Sequence, residues 1–174
     1  WSPFEMATMC VEITTSRAIA AQILRHRSFS FQEFSQRYSN ISVIGEPVAP
    51  ELRIQDTSNR QNSFEVNEQT LDASLKKKIQ AAYATALEAY KSLCQAGVAK
   101  ECPRDVLPMG SRTRLYMNGN LRSWLHYCDL RCGNGTQKEH RQIALQAKRL
   151  ISIYFPITYS AMWEMEDTGS KHEQ

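Results

Sequence analysis

From Leu71 to Ala96, apolar side chains recur at steps of four or three: Leu71, Leu75, Ile79, Tyr83, Leu87, Tyr90 and Cys94. That spacing keeps one face of a 3.6-residue helix apolar, with a slow drift around the axis, and predicts a single long helix. Gly97 follows as a suitable residue for the left-handed position just past its end. Strand signals stand on either side. Residues 7 to 14 set Met9, Val11 and Ile13 against Thr8, Cys10 and Glu12, and "RTRLYMNGN" alternates in the same way before a turn. Long helix and alternating strands in one chain exclude an all-α or all-β fold.

The remaining segments follow similar cues. Ser16 stands where a helix N-cap belongs, and beyond it Ile19, Ala20, Ile23 and Leu24 share one arc while Gln22, Arg25 and His26 take the other. Residues 39 to 69 are polar, broken by Gly45, Pro47 and Pro50, and predict a long excursion outside the core. "KECPRDVLP" predicts a short helix or turn. In "LRSWLHYCDLR", Leu121, Trp124, Leu125 and Cys128 form an apolar stripe beside Arg122, His126 and Asp129. Residues 137 to 154 and 157 to 166 predict two more helices divided by Pro156, and the tail from Glu166 is polar. A chain of 174 residues fits one globular domain or an incomplete larger one, and these elements place it in residues 1 to 165 with a tail of 166 to 174.

Composition narrows the function classes. A formal net charge of +3 over 174 residues is too mild to imply nucleic-acid binding by itself, so any anion site must be local. Five cysteines are an odd number without the density of a disulfide scaffold. No apolar run reaches 18 residues and no signal peptide opens the chain, which points to a cytoplasmic protein that does not enter a membrane.

His26, His126, His140 and His172 lack the spacing of a metal-binding helix, and Cys128 with Cys132 is not a CxxC pair, so no metal is expected. Cys128 sits late on an apolar stripe, where core packing is favoured over a nucleophile's role. No glycine-rich phosphate cradle is present.

Arginine carries the chemistry instead. "RHRSFSFQEFSQRY" (residues 25 to 38) packs Arg25, His26, Arg27 and Arg37 among serines, glutamines and phenylalanines. Arg104, Arg122 and Arg131 stand in two later blocks. The planar guanidinium fork suits phosphate oxygens and imide edges, so a nucleotide fits this set.

The arrangement RHR, seven residues, Ser closely resembles the signature of the flavin-dependent thymidylate synthases, the ThyX family. Ser30, Glu33, Ser35, Arg37 and Tyr38 all stand where that family places them, with Gln32 where many members have Asn. The resemblance extends to "SPFE", Gln22, "PRDVLP" and "NLRSWLHYCDLR". It implies an α+β fold, with a central, mostly antiparallel sheet flanked by helices. It also implies that the chain lacks the family's N-terminal part, in keeping with its opening on Trp1.

The reaction implied is the methylation of dUMP to dTMP, with methylenetetrahydrofolate as carbon donor, FAD as hydride carrier and NADPH as its reductant, in a homotetramer with active sites between subunits. No enzyme nucleophile takes part, and neither nucleic acid nor membrane is a partner. The family's dUMP contacts fall on Gln22, Glu33, Phe34, Ser35, Gln36, Arg37, Arg104 and Arg131, with Arg131 the catalytic group. Its FAD contacts fall on Ser2, Glu5, His26, Arg27, Ser28, Glu33, Asn120, Arg122 and His126. Two alternatives stand beside this: a non-catalytic nucleotide or single-stranded nucleic-acid module stacking bases on Phe29, Phe31 and Phe34, and an inactive truncated synthase.

Overall fold

The computed structural model describes residues 1–38, 41–66 and 73–164. The polar tail of 166 to 174 and Leu71 lie outside the described residues. The chain forms two compact units, one of Trp1–Met9 with the stretch from Asn120 onward, the other of Cys10–Gly119.

The Cys10–Gly119 unit holds most of a three-stranded sheet in the order β1-β5-β2. Strand β1 (Thr8–Ser16) exposes Thr8, Cys10 and Glu12 and turns Ile13 inward, as its alternation predicts. The Ser16 hydroxyl then accepts from the Ile19 N–H and starts helix α1 (Arg17–Ile23). Ile19, Ala20 and Ile23 are buried, each isoleucine contributing roughly 1.5–3 kcal/mol of burial.

Leu24 does not join them. The helix ends at Ile23, where the N–H groups of Arg25 and His26 reach back to the Gln22 and Ile23 carbonyls, so Leu24 is 37% exposed. Arg25 and His26 therefore lie past the helix, not on its far arc.

Strand β2 (Ser30–Glu33) pairs antiparallel with β5 (Arg112–Asn120), setting Ser30 opposite Asn118 and Glu33 opposite Leu115. The α+β expectation is met; the sheet itself has three strands among the described residues.

The excursion is not wholly outside the core. Ile41 and Ile44 are buried, and Ile41 clusters with Leu107 and with Tyr90 of helix α2 (Ala73–Gln95), an apolar partner far along the chain. Farther along it, β3 (Arg53–Gln55) and β4 (Ser63–Glu65) form a hairpin whose turn closes on Asp56. Helix α2 uses little of its stripe within the unit: Tyr90 is buried, Leu87 and Cys94 pack beside it, and Leu75 stays exposed. Gly97, at φ +78°, ends this helix in the left-handed region.

In the other unit, Ser2–Glu5 is a 3-10 turn with Pro3 at its start, ahead of the strand. Helix α3 (Leu121–Arg131) packs on α4 (Lys138–Tyr154) through buried Trp124, Leu125, Cys128, Ala144, Ala147 and Ile151. The Trp124 indole donates to the Met9 carbonyl at 2.9 Å, tying α3 to the start of β1. The two expected helices are divided at Phe155, and Pro156 is the first residue of the second, α5 (Pro156–Tyr159), which continues as a wider π turn over Ser160–Glu164. Its fixed φ and missing N–H suit a helix's first turn. No described helix is long and apolar enough to cross a membrane.

Candidate active site

Within the Cys10–Gly119 unit, the RHR block meets the later block that carries Arg104. Lys100 Nζ donates to the Tyr38 carbonyl at 3.3 Å, and one residue along Arg37 Nη2 lies 3.3 Å from Glu101 Oε2. Arg104, in the 3-10 turn Pro103–Val106, donates from Nε to the Glu101 carbonyl at 3.1 Å. Two guanidinium groups far apart in sequence thus reach the same residue. Both are partly exposed, and their carboxylate partners Glu101 and Asp105 are exposed too. Such pairs are weak in water and exchange readily for another anion.

Between Ser35 and Arg37, Gln36 is 7% exposed, with its carbonyl oxygen 3.0 Å from Arg17 Nη1. The Ser35 hydroxyl accepts from the Arg37 N–H at 3.4 Å and the Ser35 carbonyl from the Tyr38 N–H at 3.2 Å, which closes a local turn. The Phe34 N–H donates to the Arg114 carbonyl at 2.8 Å, extending the β2 ladder by one residue.

Glu33 is held from the sheet, its Oε1 accepting from Thr113 Oγ1 at 2.8 Å. Thr113 was not among the residues the sequence singled out. Its signal was a hydroxyl on the face of β5 that otherwise turns Leu115 and Met117 into the core. On the strand's other face, Tyr116 donates to Glu12 at 2.6 Å and Arg114 Nε stands 3.6 Å from the same carboxylate. That hydrogen bond raises the Tyr116 phenol above its ordinary pKa.

His26 sits just past α1, edge-on to Phe29 with ring centroids 6.5 Å apart, and Arg27 and Ser28 beside it are exposed. Phe29 itself is 9% exposed and tilted against Phe31. A ring so covered offers no face to a base, which removes one of the three platforms of the nucleic-acid alternative; Phe31 and Phe34 are half-buried. Gln22 lies half-buried in α1.

The second unit holds the remaining residues. Glu5 and Arg122 form a short ion pair between the 3-10 turn and the first turn of α3. Asn120 caps α3, its side-chain oxygen accepting from the Ser123 N–H at 2.9 Å, so at least one of its polar atoms has a structural task. His126 and Ser2 are exposed, and Arg131 closes α3, where a cation also suits the helix dipole.

Cys128 is 1% exposed, with its thiol directed to the Ala144 carbonyl; burial pushes its pKa well above the usual range. A thiol kept protonated in the core is a packing group and no nucleophile.

The donor chemistry fits a flavin dinucleotide in kind. In the Cys10–Gly119 unit exposed Arg27 and Ser28, and separately in the other unit exposed His126 and Arg122, offer hydrogen-bond donors of the sort that a pyrophosphate and an isoalloxazine edge accept.

A family model for the thymidylate synthase complementing proteins matches residues 1–157. The chain is 50% identical over 166 residues to a flavin-dependent thymidylate synthase of Synechocystis sp., covering 93% of this chain and 74% of that one. It is 46% identical over 165 residues to a probable flavin-dependent thymidylate synthase of Paramecium bursaria Chlorella virus 1, with the same coverage. Among solved structures, a crystal structure of the UMP/dUMP methylase PolB from Streptomyces cacaoi, bound with 5-Br UMP, superposes with a TM-score of 0.80. It is 27% identical and covers 92% of this chain and 74% of that one.

Proposed function

Because the chain belongs to the family of thymidylate synthase complementing proteins and is 50% identical to the flavin-dependent thymidylate synthase of Synechocystis sp., we propose that it methylates dUMP to dTMP. Methylenetetrahydrofolate is the carbon donor and NADPH the reductant in this reading, and both units are parts of one catalytic domain. The observation that carries the substrate assignment is the meeting of Arg37 and Arg104 at Glu101, because two guanidinium forks beside a backbone turn are suited to a nucleotide phosphate.

Each residue then has a task. Arg37, Arg104 and the backbone donors around Ser35 take the phosphate, and Glu33 is steadied by Thr113 for contacts to the nucleotide and the flavin. Gln22, Phe34 and Gln36 complete the nucleotide contacts. Arg131 addresses the pyrimidine edge and stabilises the negative charge that develops on the ring as the new bond forms. Ser2, Glu5, Asn120, Arg122 and His126 of one unit, and His26, Arg27, Ser28 and Glu33 of the other, are assigned to FAD. In a homotetramer with sites between subunits, the two sets need not come from the same copy. When bound, the flavin supplies the hydride that the methylation consumes. No side chain needs to attack the ring, and Cys128 has no access to it.

Arg131→Ala tests the assignment. Loss of one preorganised donor at a charge-developing atom costs about 100–1,000-fold in kcat, with a smaller change in dUMP affinity. A variant that turned over at the parent's rate would remove Arg131 from the mechanism.

A further inference from the structure

Arg17 has no place in the assignments above, yet it governs the chemistry of a residue that does. It opens α1, and its backbone N–H donates to the Ser111 carbonyl at 2.9 Å while Ala18 N–H donates to the Met109 carbonyl at 3.0 Å, so the start of the helix is anchored. From there Arg17 Nη1 donates to Gln36 Oε1 at 3.0 Å. A guanidinium has donors and no acceptor, so the side of the amide that faces it must be the oxygen. The orientation of Gln36 is therefore set by chemistry, and its NH2 group points away from Arg17.

That NH2 group is buried and has no hydrogen-bond partner among the described residues. A buried amide donor without an acceptor is unfavourable, and the next residue along is Arg37, whose guanidinium already reaches toward a carboxylate. The amide needs an acceptor that the described residues do not supply, and Arg37, next in the same turn, brings a cation nearby, which favours an anion.

We infer that Arg17 is a positioning residue that holds the Gln36 amide with its N–H donors toward the phosphate of the bound nucleotide. The inference rests on the dUMP reading and deepens it. Arg17 touches no ligand itself; it decides whether Gln36 presents donors or an acceptor.

The test compares Gln36→Glu, Arg17→Met and Arg17→Lys with the parent, measuring KM and kcat for dUMP, binding of phosphate-free deoxyuridine, and thermal unfolding. Gln36→Glu keeps an oxygen for Arg17 but replaces the donors with a second, charged oxygen. KM for dUMP should rise tenfold or more, about what one charge-assisted hydrogen bond is worth, with the loss falling more on KM than on kcat. Deoxyuridine binding should move far less. Arg17→Met should raise KM in the same direction, and Arg17→Lys, which restores a donor, should recover much of it. Should Gln36→Glu unfold, the Arg17→Met and Arg17→Lys pair carries the test alone. An unchanged KM in folded variants of a parent that binds dUMP would overturn the inference and leave water as the amide's partner. A parent that binds no dUMP would overturn the dUMP reading, and the inference with it.

Discussion

Arg37 and Glu101 face each other at 3.3 Å across 64 residues of sequence, both about half exposed. An exposed pair of this kind adds only about 0–1 kcal/mol to stability. Glu101 also places a carboxylate where the proposed function calls for a phosphate. Replacing it with the neutral isostere, Glu101→Gln, should leave the melting temperature nearly unchanged and tighten dUMP binding by about two- to fivefold at low salt. Calorimetric titration measures this, and weaker binding would show that Glu101 supports the site.

Gly119 is a close approach. A Cβ there would stand 2.5 Å from Cδ1 of Phe29, a ring buried beside His26. Gly119→Ala should destabilise the protein by about 1–3 kcal/mol in denaturant unfolding, because a buried ring must shift to admit the methyl group. Gly133, with open space around its added Cβ, is the control, and its alanine variant should unfold near the parent.

Asp56 accepts from the Ser58 hydroxyl, Asn62 and the backbone N–H groups of Ser58 and Asn59, covered by its own turn and not by the core. These bonds, the Ser58 hydroxyl foremost, hold its carboxyl well below the usual carboxylate range. A carboxyl whose folded pKa is depressed contributes stability above its unfolded pKa and loses it as pH falls toward the folded one. Amide exchange at Ser58 and Asn59, corrected for intrinsic rates, should show protection that is flat near neutrality and falls below the ordinary carboxylate pKa. Asp56→Asn should flatten that fall.

Cys128 is a packing residue between α3 and α4. Cys128→Ala should cost about 1–2 kcal/mol of stability through a small cavity and leave turnover in place. Iodoacetamide should spare Cys128 in the native protein, because its thiol is buried and protonated. Loss of turnover in a folded Cys128→Ala would reinstate a cysteine in the chemistry.

What the sequence disclosed was local. The β1 alternation, the Ser16 cap, the α3 stripe and the glycine after α2 each depend on residues within a turn or two of one another. Strand β2 was hidden because Ser30–Glu33 becomes a strand only by pairing with Asn118–Leu115. Ile41 was read as loop because its partner Tyr90 lies far along the chain. The site shows the same division. The RHR block announced its arginines, whereas Thr113 holding Glu33 and Arg17 holding Gln36 span 80 and 19 residues and leave no periodic trace.

The most direct test of the central claim is dTMP formation by the purified chain given dUMP, methylenetetrahydrofolate, NADPH and FAD. The account predicts product that depends on every one of these components and falls about 100–1,000-fold in Arg131→Ala. No dTMP from a folded, flavin-loaded parent that binds dUMP would contradict it, and would leave a nucleotide-binding protein without the synthase reaction.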